Sequence, residues 1–260
     1  MPSIDDSKCI LVTGATAGIG RALSLALAKL PSKPRVIGLG RREDRLKELA
    51  KAGLETIQFD SNTDSKNLKT FADGVLEKYP DLDTIIYNAG VQYEFDFQNE
   101  INFDKLTTEI NINYTSVVTL ISHFMPHFLK LSEEGRPSFI VTVTSGLAIV
   151  PAAWIPNYSA TKAALHSFTI SLRAQLQKTK VNVIEIIPPL VESELHDDAG
   201  TTNRLSRFWM PIDQYIENTV GGLRKGERVV TCGAGVNIFS RFEEGKEEEA
   251  AKLMQFRSQW

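Results

Sequence analysis

The chain is poor in the residues that fix small disulfide or metal scaffolds. Its 260 residues hold two cysteines, Cys9 and Cys232, and four histidines. Each cysteine lies in a strand-like apolar run, so the pair reads as two small buried hydrophobes and not as a disulfide framework. His123 and His127 stand at i and i+4, a spacing that can face a zinc ion. No glutamate follows His123, Pro126 is expected to bend the helix there, and no third ligand is in view, so ordinary helix positions are the better reading. His166 and His196 stand alone and carry no expectation. Strong basic charge is also missing. The net charge is -3, which leaves no electrostatic footprint for nucleic acid. No run nears the roughly 18 apolar residues of a membrane-crossing helix. Met1 to Lys8 is polar and acidic and lacks the apolar core of a signal peptide, so the cytoplasm is the expected compartment.

What remains is ordinary globular usage, with 42% hydrophobic and 23% charged residues. A chain of this length can bury a large core without staples. Short β-branched runs alternate with amphipathic stretches: Lys8–Thr13, Arg35–Leu39, Glu55–Phe59, Thr84–Tyr87, Phe139–Thr144, Val181–Ile187 and Arg228–Cys232 read as strands. Helices are expected between them, at Ile19–Leu30, Glu43–Ala52, Asp64–Tyr79, Phe103–Leu131, Asn157–Lys178 and Asp213–Leu223. The strand runs are apolar on both faces, as in parallel strands covered from both sides. The expected fold is α/β: a doubly wound parallel sheet of about seven strands in one domain, 1–260. The acidic run Glu243–Glu249 reads as the solvated face of a C-terminal helical tail, 240–260.

Ligands in such sheets bind beyond the carboxyl ends of the strands. The first strand runs into Thr13–Gly20 (TGATAGIG), with glycines at 14, 18 and 20. A helix starting inside this turn aims N–H groups and its dipole outward, which suits a pyrophosphate. The second strand ends not in an acidic residue, which would hold a ribose 2′-hydroxyl, but in Gly40, Arg41 and Arg42. Two guanidiniums there can clamp a 2′-phosphate, which favours NADP(H) over NAD(H). The plainer alternative is two solvated arginines opening a helix.

Tyr158 and Lys162 lie four residues apart on one helical face. A nearby ammonium lowers the pKa of a phenol, which makes it a usable proton-transfer group. Ser145 stands just past the strand Phe139–Thr144, at the same sheet edge, where its hydroxyl can hold a substrate oxygen.

With these residues in place the chain resembles the short-chain dehydrogenase/reductase family, from Lys8 to at least Ser193. The pattern T-G-x-x-x-G-x-G appears as Thr13, Gly14, Gly18 and Gly20, and N-A-G as Asn88, Ala89 and Gly90. Ser145, Tyr158 and Lys162 match the family's serine, tyrosine and lysine. Asn113 matches its helix asparagine and is preferred to Asn111 because Ser116 follows at the usual offset. Asp60 and Ser61 match the residues that meet the adenine. One departure follows strand six, where Pro188-Pro189 replaces Pro-Gly, with Val191 and Ser193 in the places that meet the carboxamide. The resemblance implies that Ser145 holds a carbonyl oxygen and Tyr158 gives it a proton. Lys162 lowers the tyrosine pKa and bonds the nicotinamide ribose, and Asn113 anchors a relay water. Thr16 and Ile19 join the glycines around the pyrophosphate.

The implied reaction is hydride transfer between NADP(H) and a carbonyl or secondary alcohol. The alternative from another class is an NADP(H) sensor without turnover, since fold does not guarantee chemistry. Candidate substrate-lining residues are Gln92, Tyr93, Leu147, Trp154, Ile155 and the stretch Leu190–Trp209, within an expected lid at 190–225. Leu205, Phe208 and Trp209 read as an apolar lid, for a medium-sized apolar or aromatic ketone or aldehyde, or else as core packing. The family's habit implies a homodimer or homotetramer through the two long helices.

Overall fold

The computed structural model describes residues 2–196 and 202–257. Its centre is a sheet of β1 (Cys9–Thr13), β2 (Arg35–Gly40), β3 (Glu55–Gln58), β4 (Thr84–Tyr87), β5 (Ser138–Val143), β6 (Val181–Ile187) and β7 (Val229–Thr231). The spatial order is β3-β2-β1-β4-β5-β6-β7, and every neighbouring pair is parallel. Connections leave in opposite directions from β1 and β4, which opens a crevice beyond their carboxyl ends.

The helices are α1 (Gly18–Leu27), α2 (Glu43–Lys51), α3 (Ser65–Lys78), α4 (Phe103–Ile110), α5 (Ser116–Glu133) and α6 (Pro156–Leu176), then α7 (Thr202–Leu205), α8 (Ile212–Arg224), α9 (Ala234–Phe242) and α10 (Lys246–Arg257). β1 explains why the strands read as apolar throughout. Ile10 and Val12 pack with Leu23 and Leu27 of α1 and Tyr215 and Leu223 of α8. Cys9 and Leu11 face the opposite core, with Val75 of α3 and Phe124 and Phe128 of α5. Each such side chain contributes about 1.5–3 kcal/mol over its exposed state. Burial pushes the Cys9 thiol up to about 12, so it is an inert core residue.

Local chemistry fixes the ends. Asp64 caps α3 by accepting from Asn67 N–H at 2.8 Å, and Asn102 caps α4 through Lys105 N–H at 3.0 Å. Pro156 occupies the first turn of α6, where its missing N–H costs nothing. The expected single helix Phe103–Leu131 is instead α4 and α5 joined by a π turn, Asn111–Thr115. Periodicity cannot register the extra residue that widens such a turn, and π turns gather at functional sites. Part of the expected lid, Ile212–Arg224, is α8, packed against α1 and the sheet.

Two readings change behind α6. The acidic run does not form one solvated face: Glu243 follows α9 and is 5% exposed, and α10 begins only at Lys246. His166, which carried no expectation, sits between carboxylates. Its Nδ1 lies 2.8 Å from Glu185 and its Nε2 2.9 Å from Glu243. Glu185, fully buried on β6, also accepts from Thr144 Oγ1 at 2.6 Å. Arg173 of α6 pairs with Glu247 of α10. A buried ring with a carboxylate at each nitrogen ties β6, α6 and the C-terminal segment together.

Burial opposes the charge on His166, but the two carboxylates outweigh it and hold its pKa above the ordinary value. Stability from a raised histidine pKa is complete below the unfolded value, about 6.5, and is lost as pH climbs through the folded one. The urea midpoint of the wild type should therefore fall as pH rises above that value. His166→Gln should flatten this slope, and equal slopes in both proteins would show that the ring does not act as a charged clamp.

Candidate active site

The crevice is floored by the junction of β1 and β4. Thr13 Oγ1 accepts two backbone N–H groups, those of Asn88 and Ala89, each at 3.0 Å. The Asn88 carboxamide returns the contact, donating to Thr13 O at 3.0 Å and Gly14 O at 3.4 Å. Gly14 has φ +68°, and a Cβ there would lie 2.8 Å from Ala89 Cα. A Cβ on Gly20 would lie 2.4 Å from Gly14 O. These two glycines are thus required by strand and helix packing. Gly18, with φ +48° at the start of α1, is the one whose missing Cβ opens the turn toward Ser193. The first-turn N–H groups of α1 have no helical acceptors and face the cleft with the positive end of the helix dipole.

A cleft of about 650 Å³ runs along the strand ends. Gly14, Thr16, Gly18 and Ile19 line its middle, and Arg41, Arg42, Asp60 and Ser61 line one end. Asn88, Ala89 and Gly90 form the floor, with Pro188, Val191 and Ser193 across from them. Every proposed cofactor residue except Gly20 reaches the wall, and Gly20 sits behind it. The dimensions and the open backbone at Gly18 fit an extended dinucleotide.

At the β2 end a Cβ on Gly40 would lie 2.4 Å from Thr16 Cγ2, so no acidic side chain fits at the strand's last position. Arg42 donates from Nε to Thr16 Oγ1 at 3.3 Å and from Nη1 to Glu194 at 2.8 Å. Arg45 reaches the same carboxylate at 3.3 Å, and Arg41 lies 3.5 Å from Asp60. Glu194 and Arg45 escaped the sequence reading because nothing local joins α2 to the chain after β6. Pro189 leaves no cis bond, and Pro188 O still accepts from Gly146 N–H at 3.0 Å.

Past β5, Ser145 opens a short turn by accepting from Leu147 N–H at 3.1 Å. Tyr158 lies on the first turns of α6, 6% exposed, and Lys162 one turn on is 3% exposed. The Lys162 ammonium donates to Val143 O at 2.8 Å and lies 5.7 Å from the centre of the Tyr158 ring. Burial dominates and holds the phenol well above its ordinary value, against the pull of a hydrogen bond with Ser145, while Glu109 adds to the rise. Burial also takes Lys162 down to about 8, with Glu109 opposing. Asn113, fully buried in the π turn, accepts from Val91 N–H and donates to Val91 O, both at 2.9 Å, and to Thr161 at 3.1 Å. Its carboxamide clips the segment after β4 to α6.

At this end the walls are Gln92, Tyr93, Leu147, Trp154, Ile155, Leu190, Leu195 and Leu205, with Ala234 and Ile238 of α9. The α9 contribution was not legible, since that helix lies far along the chain. Phe208 is 77% exposed, and of the three residues of the expected apolar lid Leu205 lines the cleft whereas Phe208 and Trp209 do not. Val191 and Met210 form an isolated parallel bridge, with Met210 N–H donating to Leu190 O at 2.8 Å. This bridge closes the base of the intervening loop, of which 197–201 lies outside the described residues. His127 Nε2 is 2.7 Å from Leu82 O, and among the described residues no three His, Cys, Asp or Glu side chains group as metal ligands. No helix among the described residues is long and apolar enough to cross a membrane.

Comparison with known proteins agrees with this geometry. The short chain dehydrogenase family model matches residues 8–204. DltE of Bacillus subtilis (strain 168), an uncharacterized oxidoreductase, is 37% identical over 230 residues, spanning 86% of this chain and 88% of its own. An NADP-dependent 3-hydroxy acid dehydrogenase of Schizosaccharomyces pombe is 30% identical over 239 residues, 86% of this chain and 90% of its own. A short-chain dehydrogenase from Sphingobium yanoikuyae, solved with NADPH, shares the fold at TM-score 0.79 and 21% identity, over 95% of each chain. The chain belongs to the short-chain dehydrogenase/reductase family of NAD(P)-dependent oxidoreductases.

Thr13 supplies the test of the crevice floor. Thr13→Ala leaves Ala89 N–H without its acceptor and Asn88 N–H with only Ile86 O, at 3.1 Å, and should cost about 1–3 kcal/mol in urea unfolding, the scale of one buried unsatisfied group. Thr13→Ser keeps the hydroxyl and should recover most of that loss.

Proposed function

We propose that the chain is an NADP(H)-dependent reductase of uncharged, largely apolar carbonyl compounds, acting in the cytoplasm as a homo-oligomer. The observation that carries the reading is the convergence of Ser145, Tyr158 and Lys162 at one end of a dinucleotide-sized cleft. When bound, the cofactor supplies or accepts the hydride. Ser145 orients the substrate oxygen, and Tyr158 donates the proton. The buried phenol is protonated at neutral pH, the form from which it can donate. Lys162 would hold the nicotinamide ribose together with Tyr158, and Asn113 would keep the Val91 segment and a relay water in place. Gly14, Thr16, Gly18, Ile19 and Gly20 would hold the pyrophosphate, with Asp60 and Ser61 at the adenine. Asn88, Ala89 and Gly90 lie beneath the dinucleotide, and Pro188, Val191 and Ser193 meet the carboxamide.

Two observations support NADP(H). Gly40 leaves no space for an acidic side chain, and Arg42 already holds a carboxylate, that of Glu194, which a phosphate would displace. The substrate class follows from where charge lies. Of the charged side chains lining the cleft, Arg41, Arg42, Asp60 and Glu194 are at the β2 end, and only Lys162 is near Tyr158. An acidic substrate such as the relative's 3-hydroxy acid would find no second cation among the described lining residues, whereas an apolar ketone or aldehyde would meet Leu147, Ile155 and Ile238. Leu190, Leu195 and Leu205, beside the Val191–Met210 bridge, would supply the apolar cover over this end. Subunits would meet along α5 and α6, where Ala160 and Ser167 are exposed.

Arg41→Ala/Arg42→Ala should weaken NADPH binding about 10–100-fold, at roughly 1.5–3 kcal/mol for hydrogen bonds to charged groups, and leave NADH binding unchanged. Equal losses for both cofactors in a fluorescence titration would overturn the cofactor assignment. Tyr158→Phe should lower carbonyl turnover at least about 100-fold, far more than the loss of one ribose hydrogen bond weakens cofactor binding. A protein that binds NADPH yet turns over no carbonyl compound before or after that change is the sensor instead.

A further inference from the structure

Glu109 is a buried carboxylate beside Tyr158 and Lys162 that none of the roles above uses. It stands on the last turn of α4, just before the π turn, and is 0% exposed. Oε1 accepts from Tyr93 N–H at 2.8 Å, and Oε2 accepts from the Asn157 carboxamide at 2.6 Å. Asn157 also donates to Leu106 O at 3.3 Å. Tyr93 belongs to the wall of the substrate end, and Asn157 is the residue before Tyr158. One carboxylate therefore joins the segment after β4 to the first turn of α6, at the end of the cleft lined by Tyr93 and Ile155.

We propose that Glu109 is a positioning residue for the reduction: its carboxylate fixes the Gln92–Tyr93 wall to the first turn of α6 and so sets the distance between bound carbonyl and the Tyr158 hydroxyl. The inference rests on the reading of the cleft as a reductase site. A neutral residue of the same shape cannot replace this group. A carboxylate presents two acceptors to two N–H donors, whereas a carboxamide presents one acceptor and turns an N–H against the other donor. A buried carboxylate needs both donors and a nearby positive charge to offset its lost hydration.

The charge has a second effect. The charged or titratable side chains that act on Glu109, or on the Tyr93 it binds, are Lys162 and Tyr158 on α6 and Lys105 on α4, the last lying over the Tyr93 ring at 5.4 Å. Burial raises the Glu109 carboxyl above its ordinary value, against the two hydrogen bonds and the Lys162 ammonium. In return the carboxylate keeps Lys162 protonated and Tyr158 a phenol to higher pH.

The test uses the full chain with NADPH and a carbonyl substrate that the wild type reduces. Glu109→Gln should lower kcat about 10–100-fold, the scale of a small misplacement of reacting groups, with the NADPH Kd unchanged and the alkaline limb of the kcat–pH profile moved to lower pH. Glu109→Gln combined with Asn157→Asp restores the pairing between the two side chains, because the new carboxamide accepts from Tyr93 and donates to the new carboxylate, although the bond to Leu106 O is lost. That double variant should regain part of kcat and move the alkaline limb back. Hydrogen exchange of the Val91–Phe95 segment should quicken in the single variant and slow again in the double. An unchanged kcat and pH profile in Glu109→Gln, or no recovery in the double variant, overturns the proposal. If the wild type reduces no carbonyl compound, the reductase reading fails, and unchanged exchange at Val91–Phe95 then overturns the link made by Glu109 as well.

Discussion

The Thr13 hydroxyl accepts two backbone N–H groups at the carboxyl ends of β1 and β4, and the Asn88 side chain answers it by binding two carbonyls of the glycine turn. Chain directions diverge at this point of the sheet, so backbone groups that a continuous ladder would satisfy are left over. Side chains must satisfy them, and only small neighbours allow the two strand ends to come this close. Gly14, Gly20 and Ala89 are the consequence. Everything along the cleft is referred to that junction: α1 leaves it on one side, and the segment that carries Val91 and Tyr93 leaves it on the other.

From the junction the site is assembled by buried polar groups that each join two elements. Asn113 clips the segment after β4 to α6 through Val91 and Thr161, and Glu109 does so through Tyr93 and Asn157. Behind α6, the ring of His166 draws in β6 and the C-terminal segment. Such contacts add little net stability, because each group gives up hydration to make them. They are directional, however, and a helix held by directional contacts on both sides cannot rotate or slide by the fraction of an ångström that proton transfer would notice.

Burial, more than any neighbouring charge, sets the protonation of the site. It drives Tyr158 upward and Lys162 downward, while the ammonium donates to Val143 O. An i, i+4 tyrosine–lysine pair in a sequence implies an electrostatic coupling that holds only if the two heads meet. Here they share a helical face without touching head to head. Glu109, the one anion acting on both groups, favours the protonated form of each.

The sequence alone determined the strand and helix order, the glycine turn, the N-A-G floor and the set of Ser145, Tyr158 and Lys162. Each of these is written in consecutive residues or at a fixed helical spacing, and periodicity and steric demand make such signals local. It could not reveal the π turn within 103–131, because one extra residue in a turn leaves the apolar period almost intact. It could not say which of Leu205, Phe208 and Trp209 lines the cleft, since hydrophobicity does not say which way a loop residue points. It passed over Glu109, His166, Glu185, Glu194 and Glu243 because their partners lie far away along the chain: Glu194 meets Arg42 across the cleft, and Glu243 meets His166 only after the last strand has closed the sheet. A charged side chain in a sequence looks solvated until the fold removes the water around it. Which charges lose that water, and what they face afterwards, was decided by tertiary structure alone.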